Sequence, residues 1–305
     1  MATDDLAPPA KPYTLPFRAA AVRELEGLGL ALSQWRDGGV EFAEGDGSLG
    51  FLDLANCFRE ASLHPDAELG EFVKAYFRMA FQVDQPTQPE LPKTFDDGAD
   101  RIRLRIAPNP TEEGTQWVQP VPGTESLSFH IVFDFPTLVA YLPKALIEQS
   151  NTPKEDWIRR AKLNLLETTP ADWLKPTDDV PAILAGQSGD SYDAARALVL
   201  TDYTNSDELG WLVAIPARDL LLCRKVEQAG ISEFHFVKLF AQQAYGKYPH
   251  PISDEVFWVR PGFHWMPIPM TFGEESVQIF PPPEFVEALN LTVSAETPPD
   301  GDTSA

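Results

Sequence analysis

Hydrophobic positions recur every three to four residues in "DAELGEFVKAYFRMAF", where Phe72, Val73, Tyr76, Phe77, Ala80 and Phe81 share one side of a helix. An amphipathic helix covering a sheet accounts for this stripe without any ligand. Upstream, "FRAAAVRELEGLGLAL" also has helical spacing, and "ALSQW" and "GVEFAE" read as short strands around the turn "RDGG". Together these elements predict a first compact lobe over residues 14–82. Further along, the period changes. In "RIRLRIA" the residues Ile102, Leu104 and Ile106 alternate with Arg101, Arg103 and Arg105, the pattern of a strand with one apolar and one wet, basic face. That strand stands in a stretch rich in proline, glutamate and threonine, residues 83–126, which reads as a linker.

A second region is predicted over residues 127–291. Its strands are "SLSFHIVFDF", "TLVAY", "VPAIL", "GWLVAIP" and "RDLLLC", the last two joined by a tight turn at "PAR". Its helices include "PKALIEQ", "DWIRRAKLNLLE" and "SEFHFVKLFAQQAYG", and "DEVFWVRPGFHWMPIP" reads as a hairpin turning at Pro261-Gly262. Thr152, Pro153 and Glu155 have the spacing of a capping box at the start of the second helix, whose Trp157, Ile158, Ala161 and Leu165 fall on one face. Helices and short strands follow one another without a βαβ rhythm. The fold class expected is therefore α+β, with short antiparallel strands covered by helices in two compact lobes. Residues 1–13 and 292–305, rich in proline or in small polar residues, read as loose tails.

Charge narrows the choice of partner. Forty-six acidic residues against 24 lysines and arginines give a net charge of −22 over 305 residues. Such a field repels nucleic acid and anionic membrane surfaces and favours either plain solubility, as a well-solvated surface, or a protein partner with a basic surface. No apolar run reaches the roughly 18 residues of a membrane span, and the N-terminus lacks the basic-then-apolar order of a secretory leader. Cys57 and Cys223 both lie in apolar settings and read as buried free thiols, which points to the cytoplasm; a pairing between them stays open.

Two stretches invite a chemical reading. Gly45-Asp46-Gly47-Ser48-Leu49-Gly50 spells G-x-G-x-x-G, but it lies between strand-like segments with no βαβ unit after it, so it reads as a glycine-rich turn. "SGDSYDAARAL" offers aspartates before helical residues. Asp190 or Ser191 suits an N-cap, Asp193 the first turn, and Ala194, Ala197, Leu198 and Thr201 one buried face. No P-loop, H-E-x-x-H or G-x-S-x-G motif occurs, and His64, His130, His235, His250 and His264 lack metal-ligand spacing. The three arginines of "RIRLRIA" are an anion or partner contact in outline, although such a face ordinarily pairs with nearby carboxylates.

The order "AKLNLL", "GDSYDAARAL", "LVAIPARDLLL" and "AYGKYPHPISDEVFWV" resembles the bacterial YtpQ-like family, domain of unknown function 1444, over roughly residues 101–269. Its most specific pieces are Tyr192-Asp193-Ala194 with Arg196, and Pro216 followed by Asp219. The resemblance implies a fold grouping and a bacterial cytoplasmic setting, and it brings no catalytic residue. A small acidic α+β chain also resembles the secretion-chaperone type of fold. These readings point to a non-catalytic protein-binding module, regulatory or chaperone-like, without cofactor or metal, that uses Tyr192, Asp193, Arg196, Arg218 and Asp219 for contact. The alternative is a metal-dependent hydrolase or nucleotide-handling enzyme, which requires Asp190, Asp193 and Asp219 to converge around a divalent ion.

Overall fold

The computed structural model describes residues 13–295 except 46, 64–67, 82–89, 113, 137, 204–208, 227–230, 263 and 274–276. Helices and antiparallel sheets make an α+β fold that divides into two compact units. One comprises the described residues up to Glu90 together with Gly246–Pro251, and the other Leu91–Tyr245 and the chain from Ile252.

The first unit opens with α1 (Leu15–Gly27), whose Thr14 hydroxyl accepts the Phe17 N–H at 3.4 Å. β1 (Ala31–Arg36), β2 (Gly39–Ala43) and β3 (Leu49–Asp53) form an antiparallel sheet, and α2 (Ala55–Ala61) and α3 (Leu69–Ala80) follow. The stripe on α3 works as its spacing predicts. Val73 and Phe77 are buried, Phe72, Tyr76 and Phe81 pack around the same core, and only Ala80 turns outward. Tyr13, placed in the tail by its prolines, is itself buried and stacks on Phe17 at 5.3 Å, so the unit begins earlier than composition suggests. The G-x-G-x-x-G segment joins β2 to β3, strand to strand. Gly50 lies opposite Phe42, and a Cβ there would enter the Phe42 ring, so this glycine serves sheet packing.

The second unit runs through α4 (Phe95–Gly98), β4 (Ile102–Pro108), β5 (Val118–Pro120), β6 (Leu127–Asp134), β7 (Val139–Tyr141), α5 (Lys144–Gln149) and α6 (Lys154–Glu167). β4 pairs with β6 along its whole length, from Ile102 opposite Phe133 to Pro108 opposite Leu127. The supposed linker is therefore corrected from Leu91 onward, since its strand supplies Ile102, Leu104 and Ile106 to the core. Proline density marks the connections around β4, whose own proline, Pro108, stands at its last position.

β8 (Leu174–Pro176) and β9 (Leu184–Gly186) lead into α7 (Leu200–Tyr203), β10 (Trp211–Ala217) and β11 (Leu220–Lys225). After α8 (Ile231–Lys247), the hairpin of β12 (Val256–Arg260) and β13 (His264–Pro267) completes an antiparallel sheet of order β13-β12-β10-β11-β9-β8. The small hairpin of β14 (Met270–Phe272) and β15 (Val277–Ile279) precedes α9 (Pro283–Ala295), which carries helix past the expected boundary at 291. Trp157, Ala161 and Leu165 of α6 are buried in the core with Ile131, Phe133, Val213 and Phe257. The capping box does not form. Pro153 occupies the cap position without a side-chain bond, and the Thr152 N–H goes to the Ser150 hydroxyl at 3.0 Å. Glu155 and Asp156 still sit in the first turn, where the helix dipole favours them.

Cys57 and Cys223 are free and buried. Burial pushes the Cys57 thiol up to about 12 and raises that of Cys223 further. Among the described residues no helix is long and apolar enough to cross a membrane.

Candidate functional site

The segment from Ser188 to Leu200 is built around one arginine. Gly189 and Ser191 both take left-handed backbone, with φ of 79° and 69°, and fold the chain back on itself. Asp190 Oδ1 accepts the Tyr192 N–H at 3.0 Å and the Ser188 hydroxyl at 2.8 Å, while both oxygens of Asp193 accept the Ser188 N–H at 2.9 Å. Here the expected amphipathic helix is corrected. The chain makes a short 3-10 turn, Ala195–Leu198, and every residue from Tyr192 to Leu200 is buried. A run of small and apolar residues has no side to offer water, so it is enclosed entirely, and the aspartates bond the preceding loop and do not cap a helix.

Arg196 is completely buried and satisfies its guanidinium within this loop. Its Nη1 donates to Ser188 Oγ at 2.9 Å, Asp190 Oδ1 at 2.9 Å and Asp193 Oδ1 at 3.1 Å. Nη2 donates to Asp190 Oδ2, and Nε to Thr169 Oγ1 at 3.1 Å. The guanidinium carbon lies 5.6 Å from the centre of the Trp173 ring. Burial by itself would raise the Asp190 carboxyl, but its bonds from Arg196 and Ser188 overcome this and hold it below the usual carboxylate range. Asp193 has no solvent at all. Desolvation dominates there and pushes its carboxyl upward, against the Ser188 N–H and Arg196.

The residues expected to make partner contacts therefore fall into two groups. Asp193 and Arg196 are fully buried and Tyr192 nearly so, which removes them from any contact surface. Arg218 and Asp219 form a half-buried pair at 2.9 Å on the turn between β10 and β11. The backbone links the groups, through the Ala194 N–H and the Arg218 carbonyl at 3.1 Å. Asp190 and Asp193 converge on Arg196, whereas Asp219 converges on Arg218. Among the described residues, no three His, Cys, Asp or Glu side chains are grouped so as to hold a metal ion.

Sequence reasoning missed the cleft above this network. An open cavity of about 550 Å³ is lined by Asp172, Trp173, Lys175 and Asp178 on one side and Gln187 and Ser188 on the other. Pairing of β8 with β9 brings these segments together, Leu174 opposite Gly186. Gly186 is required there because a Cβ would enter the Trp173 indole. β8 is the last strand of its sheet and ends at Pro176. Asp172 and Lys175 pair loosely at 3.8 Å, both exposed, and Asp178 is exposed as well, so the rim carries net negative charge. No spacing motif marks these positions; the only local signal is a tryptophan followed by a proline-bounded strand. No family model, no curated protein and no solved structure matches this chain.

Proposed function

We propose that this chain is a non-catalytic protein-binding module, regulatory or adaptor-like, which takes an extended basic segment of a partner into the cleft beside β8. The observation that carries this reading is the cleft itself, an open cavity with an acidic rim along a terminal strand. An extended segment can add its backbone to such an edge while its side chains meet Asp172 and Asp178. The groups beneath the cleft are bonded to one another. Ser188 donates to Asp190 and accepts from Arg196, with no histidine in the lining to activate it. The net charge of −22 adds long-range attraction for a basic partner. A cytoplasmic setting and the YtpQ-like grouping belong to the same proposal.

Fluorescence polarisation with a labelled lysine-rich 12-residue peptide, against a glutamate-rich peptide of equal length, tests it. The lysine peptide should bind, and Asp172→Lys/Asp178→Lys should weaken it about tenfold or more. Charge reversal at Glu148 and Asp156, outside the cleft lining, should weaken it far less. Equal losses in the two double variants would reduce the binding to overall charge and defeat the reading, as would no binding to either peptide.

A further inference from the structure

The arginines of β4 remain unexplained by the cleft. Their strand alternation puts Arg101, Arg103 and Arg105 on one face, beside Asp134, Val132 and His130 of β6 in the antiparallel register. Beyond β6 this row continues, with Val118 of β5 opposite His130 and Tyr141 of β7 opposite Val132. In a chain with 46 acidic residues, three arginines on one strand would be expected to find carboxylates. They do not. Arg101 lies over the Phe135 ring at 5.6 Å, and Arg103 donates to the carbonyls of Asp100 and Ile102 at 3.0 Å each. Arg105 is half-buried and makes neither hydrogen bond nor ion pair among the described residues. A partly desolvated guanidinium has five N–H donors and no acceptor, so leaving them unmatched is costly.

Asp134 is already engaged: after burial, its charge and its hydrogen bond to the hydroxyl are what raise the phenol of buried Tyr192. His130 is oriented beside Arg105 by its Nδ1 contact to the Trp117 carbonyl at 3.2 Å and by the edge of Tyr141 at 5.1 Å. Among the described residues, three guanidinium groups stand with the carboxylate of Asp134 and leave this face positive.

We propose that the β4–β6 face is an oxyanion site, in which Arg105 and Arg103 take up a phosphate or carboxylate group. Charge-assisted bonds to a guanidinium are the strong ones, and they are strongest where water is partly excluded. The site is separate from the acidic cleft and would give the chain one contact for a basic segment and another for an anion.

Calorimetric titration of the full chain with inorganic phosphate, repeated with acetate and with sodium chloride at matched ionic strength, tests this. Phosphate, acetate or both should bind above the chloride background; phosphate alone identifies a phosphoryl ligand, and acetate at equal strength a carboxylate. Arg105→Gln should lower affinity about tenfold or more with the fold retained, and Arg103→Gln severalfold. Arg159→Gln, which removes an exposed arginine paired with Asp156, should leave it unchanged. No binding beyond chloride, or equal binding by Arg105→Gln and the wild type, would overturn the proposal.

Discussion

Replacing Arg196 by methionine probes the centre of the second unit. The substitution keeps an unbranched chain of similar reach and deletes the guanidinium. Asp193, fully buried, then loses its guanidinium partner at 3.1 Å, and Thr169, Ser188 and Asp190 lose their bonds from the same group. Removing one partner of a buried ion pair costs about 3–5 kcal/mol, because the remaining charge is left without solvent. For a unit of this size, each kcal/mol corresponds to about 2–4 °C, so the melting temperature should fall by roughly 6–20 °C. Asp190 supplies the internal control. Its carboxylate is 41% exposed and Arg196 keeps Asp193 when it is lost, so Asp190→Asn should cost clearly less than Arg196→Met. Adding Asp193→Asn to Arg196→Met removes the stranded charge and should recover about 2 kcal/mol in a double-mutant cycle. Urea unfolding followed by tryptophan fluorescence reads the wild type, Arg196→Met, Asp193→Asn, Arg196→Met/Asp193→Asn and Asp190→Asn. A loss below about 1 kcal/mol for Arg196→Met, or a coupling near zero, would refute the claim that this network holds the loop.

Two further outcomes follow from the same structure. Burial, only partly offset by the Trp117 carbonyl, holds His130 below its ordinary 6.5, so the fold favours the neutral ring. Its contribution is full above 6.5 and is lost as pH falls through the lowered value; urea midpoints between pH 7.5 and 5 (about the histidine range) should drop more steeply for the wild type than for His130→Asn. Gly123 and Gly189 have similar left-handed φ values of 86° and 79°, but a Cβ at Gly123 would fall on the Trp265 carbonyl, whereas at Gly189 it meets nothing within 4 Å. Gly189→Ala should therefore cost about 1–2 kcal/mol and Gly123→Ala clearly more, and comparable melting temperatures for the two would contradict this.

What could be read from the residues in order was whatever depends on local period. The helix stripe from Phe72 to Phe81, the alternation of "RIRLRIA" and the hairpin at Pro261-Gly262 all lie within one element, where backbone geometry alone determines which side chains share a face. Composition misled at residues 91–126, because prolines between elements lower the apparent order of the strand they flank. It misled again at "SGDSYDAARAL". There, a good N-cap sequence is overridden by an arginine six residues on that draws both aspartates inward.

The sequence by itself determined the α+β alternation, the acidity, the absence of nucleotide and zinc motifs, and the placing of three arginines on one side of a strand. Only the tertiary structure decided that Asp190 and Asp193 answer to Arg196 and Asp219 to Arg218, and that the acidic cleft lies between residues 172–178 and 187–188. The reason is range. Periodicity acts over a few residues, whereas the partner of a buried charge is chosen by whichever distant segment reaches it when water is excluded.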